Sequence, residues 1–419
     1  MKLLPINSSS SFENIVANRF ADITVDKIIN GENGYAGIFG HIRRAEDLEN
    51  LCMSHPGNLH LIEKYAELLT YVAEAAWREE KYQLIADCVR KVRNLHSAYP
   101  ESKELSSIFI FSLIWDAKRT FPIWSGEASD TLCKEYGIEA PDFEKETCSE
   151  SIDKDGDVCG LKKSCWVNCE CCDLNILEDH LKILASDAKT ALELYPEEKT
   201  AQILYAALLS EIIFDYYWEQ RADSVDEMSP WNAEEIYELL KIHYSKYKLP
   251  AILEKLIEGS VYLVRQVPKD DFDKREAIRC EIKVYLSEIK EEEKPELYGM
   301  YLRLCASEIE DYTENEHLDF CKKIMKEIAD QYSQFNDEEN IRLAFAESYA
   351  GYMLNSGNYT KEECDALYEE VEEKALDYKF SHADKEVFLL ILSKIWETYE
   401  ENGWEHPETF VSLSELHFD

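Results

Sequence analysis

The sequence predicts an all-α protein built as a solenoid of stacked helical hairpins, interrupted once by a cysteine-rich loop insert. Three observations carry this expectation. Apolar residues recur at three- and four-residue spacing almost without interruption from about residue 58 onwards, the period of a helix that buries one face. Glycine (14) and proline (11) together make about 6 % of the 419 residues, roughly half the usual share, whereas a sandwich, a barrel or a loop-rich enzyme needs many more turn formers. A proline-centred boundary also recurs ahead of long apolar helices, so the helices come in repeated units, and units that each bury only one face must stack.

The elements follow in chain order. Residues 1–56 form an N-terminal cap region. Residues 1–12 (MKLLPINSSSSF) offer too short an apolar stretch for a secretory signal,. Gly31, Gly34, Gly37 and Gly40 recur at every third residue ahead of His41-Ile-Arg-Arg44. Glycines before a helix can expose amides to a phosphate. With no G-x-G, no G-K-[ST] and no preceding strand pattern, a turn and a close-packed helix are expected instead. Residues 57–120 hold the first solenoid units. Leu61, Tyr65, Leu68, Leu69, Val72 and Ala76 form one helical face, and Tyr82, Ile85, Cys88, Val89, Val92 and Leu95 form the next, after a polar break at 78–81. Residues 121–174 are the insert, 175–406 the remaining units and 407–419 a C-terminal tail, with about fourteen helices in total.

The boundaries between units are proline turns, because proline suits a first turn and is excluded from a helix interior. Residues 97–105 (SAYPESKEL) and 193–201 (ELYPEEKTA) nearly match, with looser relatives at Pro56 and Pro268. Pro56 to Pro100 is 44 residues, one helix pair. Pro100 to Pro196 is 96, one pair plus about fifty residues placed between a helix ending near Thr120 and one beginning near Asn175. Pro196 to Pro268 is 72 residues and accommodates three helices.

Residues 188–196 (AKTALELYP) resemble the second-helix ending of a tetratricopeptide repeat, A-x-x-A-L-E-L-x-P. Tyr205, Ala206 and Leu209 fall where that family's next helix has large, small and large residues, and residues 346–359 (AESYAGYMLNSGNY) look similar. The likeness covers three units; elsewhere the spacings exceed the family's repeat of about 34 residues. It implies a right-handed tetratricopeptide-like solenoid and, with it, a protein- or peptide-binding scaffold.

The insert carries the strongest local anomaly. Cys148, Cys159, Cys165, Cys169, Cys171 and Cys172 fall within 25 residues. Thiolates on a glycine-containing loop with few aliphatics suit tetrahedral zinc, which supplies order where a core is missing. Cys169 and Cys172 have the CxxC spacing, Cys159 and Cys165 complete a four-thiolate set, and Cys148 or Cys171 can substitute. One structural zinc is the expectation; disulfide or redox chemistry and a loop without metal are the alternatives. Asp153, Asp155 and Asp157 resemble the start of a calcium loop, but Val158 stands where glycine is required and Ser164 where glutamate is, so that reading fails,. The single cysteines Cys88, Cys280, Cys305, Cys321 and Cys364 lie inside helical patterns and read as reduced thiols of a cytoplasmic protein.

No catalytic signature is present, and a non-enzymatic protein is expected,. The ten histidines are scattered; His180 is placed on a solvated helix face. Tyr216, Tyr217 and Trp218 are consecutive on one helix, so they cannot share one core face, and they are the candidate partner contacts. The formal net charge is −40, with −13 on residues 1–200 and −27 on 201–419. Such a surface disfavours phosphate backbones and anionic lipid and suits a protein or peptide partner with a basic surface. The reading is therefore an adaptor, regulator or inhibitor that binds its partner on an acidic helical-repeat surface. The alternatives are a peptide-sensing transcription regulator of the tetratricopeptide type and an acidic inhibitor that imitates nucleic acid.

Overall fold

The computed structural model describes residues 12–29, 37–119, 174–220, 233–268, 271–290, 294–309, 318–335, 338–353, 360–376 and 382–406. Among them every regular element is an α-helix, and there are fifteen. The chain divides into two compact units, Met1–Leu263 and Val264–Asp419.

The first unit holds α1 (Phe12–Ile29), α2 (Gly37–Ser54), α3 (Leu59–Arg78), α4 (Tyr82–Ala98), α5 (Lys103–Lys118), α6 (Leu174–Leu194), α7 (Lys199–Gln220), α8 (Ala233–Tyr247) and all but the last three residues of α9 (Pro250–Gln266). The helix breaks fall at the proline turns because the chain leaves helical geometry there and restarts with a cap. Asn58 and Ser102 accept the amide hydrogens of Leu61 and Leu105, at 3.4 and 3.0 Å, each satisfying a donor orphaned at a helix start. Gly57 takes φ +83° in the turn before α3, a left-handed conformation open to a residue without Cβ. The two near-identical turns also meet: the Tyr195 hydroxyl, beside Pro196, donates to the Pro100 carbonyl at 3.0 Å.

Packing follows chain order. α3 lies against α1, α2, α4 and α5; α5 lies against α3, α4, α6 and α7; α7 lies against α5, α6 and α8. Each neighbour is the next helix or the next but one. Tyr205, Ala206 and Leu209, on the helix that follows residues 188–196, are buried. α1 turns Ala17, Ala21 and Val25 inward and leaves Ile15, Val16 and Phe20 exposed.

His180 corrects the sequence reading. It is buried, not solvated, and its Nε2 lies 3.6 Å from Asp116 Oδ1. Asp116 itself pairs with Arg119, the residue that caps the end of α5. Burial would raise the Asp116 carboxyl, but the adjacent Arg119 guanidinium and His180 hold it well below the usual carboxylate range. A histidine that appears isolated in sequence is thus consumed in tying α6 to the end of α5.

The second unit holds α10 (Phe272–Ser287), α11 (Lys294–Ser307), α12 (Leu318–Tyr332), α13 (Glu339–Met353), α14 (Lys361–Leu376) and α15 (His382–Asn402). Here too helices pack on their next or next-but-one neighbours. α14 begins with a reciprocal cap in which the Thr360 amide donates to Glu363 and the Glu363 amide to Thr360 Oγ1, at 2.9 and 3.3 Å,. α11 and α13 come into close contact at Gly299, where an added Cβ would sit 2.9 Å from Asn340 Cβ and 3.2 Å from the Ile341 backbone nitrogen. Beneath α10, Arg275, Arg279 and Glu308 are buried together. Arg275 donates twice to the Val267 carbonyl, at 3.2 and 2.8 Å, and Arg279 pairs with Glu308 and with Glu276.

Gly299→Ala is expected to destabilise the second unit by about 1–3 kcal/mol in urea unfolding, because overpacking outweighs the gain in helix propensity. The matched Gly259→Ala meets the ends of Ile213 and Leu240 at 3.2 and 3.3 Å and the Ser210 hydroxyl at 3.8 Å, with no backbone among them, and should shift stability by less than about 1 kcal/mol. Glu308→Ala removes the buried carboxylate beside Arg275 and Arg279, leaves Arg279 with the half-exposed Glu276, and should cost about 3–5 kcal/mol.

Candidate partner-binding face

α3, α5, α7 and α9 are covered on nearly every side, and each leaves one strip of half-buried side chains at three- and four-residue spacing. On α5 that strip is Phe111, Trp115 and Lys118; on α7 it is Leu204, Ala207, Glu211 and Phe214; on α9 it is Lys255, Glu258 and Tyr262. A core position would be apolar throughout and a solvated one charged throughout. These strips mix large aromatics with charge.

The strips are continuous across the helices. Trp77 of α3 and Trp115 of α5 lie with ring centroids 6.0 Å apart, and Phe111 meets Trp115 edge-on at 6.2 Å. The Lys118 ammonium sits 5.4 and 5.5 Å from the two indole centroids and 3.1 Å from Glu211 Oε1 of α7. Phe214, one turn beyond Glu211, packs against Tyr262 of α9 with centroids 4.6 Å apart. On α9, Lys255 pairs with Glu258 at 2.9 Å and Glu254 at 3.1 Å. At the other end of α3 and α5 the band turns acidic. Burial raises the Glu104 carboxyl, and Glu63, Glu67 and Glu198 raise it further against the pull of Lys64. Burial likewise pushes Glu211 up, Lys118 draws it back, and Glu258 adds to the rise.

A separate open pocket of about 150 Å³ lies between α6, α7 and α8, walled by Leu192, Pro196, Tyr205, Leu239, Ile242 and His243. His243 Nε2 donates to the Gln202 carbonyl at 2.8 Å, and its ring is held edge-on by Tyr205 and Tyr247, each at 4.9 Å. Its role is to lock α8 onto α7.

The residues singled out by sequence stand differently. Cys148, Cys159, Cys165, Cys169, Cys171 and Cys172 lie outside the described residues. Tyr216, Tyr217 and Trp218 fall in the last turns of α7, but their side chains lie outside the described ones. Among the described residues no group of three or more His, Cys, Asp or Glu side chains is placed to hold a metal, and no helix is long and apolar enough to cross a membrane. Cys88, Cys305, Cys321 and Cys364 are buried free thiols, with burial pushing Cys88 up to about 12 and the other three to about 11. The aromatic and charged band was missed by sequence because each helix contributes only two or three members. The available signal was a tryptophan or charge interrupting an otherwise apolar run, as in residues 105–118.

No protein-family model matches the chain, and no curated protein or solved structure does either.

Burial lowers His41, His96 and His243 below the ordinary histidine value of 6.5. The folded first unit therefore prefers the neutral rings. Their contribution to stability is present above pH 6.5 and is lost as the pH falls below it, because the unfolded chain then binds the protons more readily. Glu104 and Glu211 act in the opposite sense nearer their ordinary 4.5, so the histidine share is read by difference. Between pH 7 and 5 the unfolding free energy of His243→Gln, measured by urea titration, should fall less than that of the unmodified protein.

Proposed function

We propose that the chain is a non-enzymatic scaffold of the tetratricopeptide-like solenoid kind, which holds a segment of a partner protein across α3, α5, α7 and α9. The observation that carries this reading is the continuous half-buried band of aromatics and charges across those four helices. Fixed aromatic side chains bordered by charge are what a partner segment needs for anchoring and register. The packing of each helix on its next and next-but-one neighbours supports the stacked-pair architecture, as does the contact between the Tyr195 hydroxyl and Pro100. α1 and α2 both pack onto α3, which favours reading them as the first pair of the array over a separate nucleic-acid reader.

The partner surface is basic. With −40 on the chain and carboxylates at both ends of the band, an anionic segment would be repelled, and like charges across an interface cost several kcal/mol. A basic protein held this way is released by salt, since exposed pairs are screened over about 8–10 Å at physiological ionic strength.

Selection of displayed dodecapeptides against the full chain tests the reading. Enriched peptides should carry basic and apolar residues. Phe214→Ala with Tyr262→Ala should weaken them by about thirtyfold or more, the loss typical of removing an aromatic anchor. Ile242→Ala, on the outer side of α8, should leave binding within about twofold, the scale of a residue away from the interface. Enriched peptides indifferent to the Phe214 and Tyr262 substitutions would exclude this face.

A further inference from the structure

We propose that Trp77, Trp115 and Glu211 form a cage for a lysine or arginine side chain of the partner, and that Lys118 occupies this cage in the free protein as an internal stand-in. The proposal rests on the band being the partner-binding face and names the chemistry that the face selects.

The walls and the occupant differ in how they are held. Trp77 projects from the last turn of α3, whose carbonyls are capped by the Glu79, Glu80 and Lys81 amides, and Trp115 projects from the last turn of α5, where Phe111 braces it from the side. Lys118 is the last residue of α5, where the helix ends. A cation is favoured at that position by the carbonyls of the last turn, but a flexible four-carbon stem at a helix terminus can turn outward without moving the helix backbone. Its ammonium meets two indole faces and one carboxylate, the set of contacts that a protein offers an organic cation. The side chains of Lys118 and Glu211 are 26 % and 19 % exposed, so the cage is open to a partner yet partly withdrawn from water, where cation–π attraction is strongest.

Charge counting at the cage favours a further cation. Glu211, Glu254 and Glu258 face Lys118 and Lys255, three carboxylates against two ammonium groups. A basic side chain entering between the indoles would neutralise Glu211 while Lys118 moves outward to solvent. A guanidinium can lie flat between two indole faces, where an ammonium presents only a point charge. Arginine should therefore be held at least as well as lysine. The internal lysine sets a threshold: it competes with every incoming cation, so only a segment with further contacts along the band displaces it.

The test uses fluorescence anisotropy with a labelled octapeptide of alternating lysine and alanine, its acetyl-lysine counterpart, and the full chain. Lys118→Met keeps the stem and removes the charge. It should tighten binding of the lysine peptide by about tenfold, the worth of one partly desolvated cation–π contact with its ion pair. Lys118→Arg keeps the cage filled and should bind no more tightly than the unmodified protein. Adding Trp115→Leu or Glu211→Gln to Lys118→Met should abolish the gain, and the acetylated peptide should show none. Circular dichroism establishes that each variant is folded, with Lys118→Gln replacing Lys118→Met if the latter is not. A folded Lys118→Met or Lys118→Gln protein that binds the lysine peptide no better than the unmodified protein, or not at all, overturns the cage. Peptide binding that depends on Phe214 and Tyr262 but ignores Lys118 and Trp77 overturns the cage and leaves the face standing. Binding that ignores both sets overturns both.

Discussion

The structure depends on helices that are apolar around most of their circumference. α5 reads SSIFIFSLIW through its middle, and from Leu105 to Ala117 only Phe111 and Trp115 are not buried. A two-helix hairpin can cover one side of such a helix. The remaining sides must be covered by the pair before and the pair after, which is why α5 touches α3, α4, α6 and α7. The same requirement leaves one narrow strip per helix uncovered. On α3, α5, α7 and α9 these strips adjoin, and they place aromatic rings and charges where packing has left the described helices uncovered.

Charged residues reinforce that arrangement. Lys91 of α4 reaches Glu49 of α2, Arg93 of α4 reaches Asp187 of α6, and Lys118 of α5 reaches Glu211 of α7. In the second unit Lys283 of α10 reaches Glu327 of α12, and Arg303 of α11 reaches Glu347 of α13. Each pair spans helices two apart in the chain. Exposed pairs of this sort contribute about 0–1 kcal/mol each, so they set register between successive pairs more than they hold them together. A chain with 45 basic and 85 acidic residues spends many of its cations inside itself, and the surplus is carboxylate.

What could be read in the sequence was whatever depends on neighbouring residues. The proline turns at 56, 100, 196 and 268, the three helices between the last two, and the gap between the ends of α5 and α6 all follow from local periodicity and from the conformations that proline forbids. What could not be read depends on pairs far apart in the chain. Asp116 finds His180, Arg279 finds Glu308, and Trp77 finds Trp115 and Lys118, with no spacing to announce any of them. The sequence drew attention to Tyr216, Tyr217 and Trp218 because they are adjacent, whereas the aromatics of the band come one or two at a time from separate helices. Cluster density in sequence and cluster density in space are different quantities, and in a stacked array the second is assembled across repeats.

The contact between the Tyr195 hydroxyl and the Pro100 carbonyl has a wider meaning. Residues 120–173 separate α5 from α6 in sequence, yet α6 packs on α5 as α4 packs on α3, and His180 of α6 meets Asp116 of α5. The register of these two helices is therefore set by contacts that belong to the helices themselves and to the turns at Pro100 and Pro196. The cost of bringing two chain segments together grows only with the logarithm of the length between them. Distance along the chain and distance across the packing are thus independent quantities here, and the first can change without cost to the second.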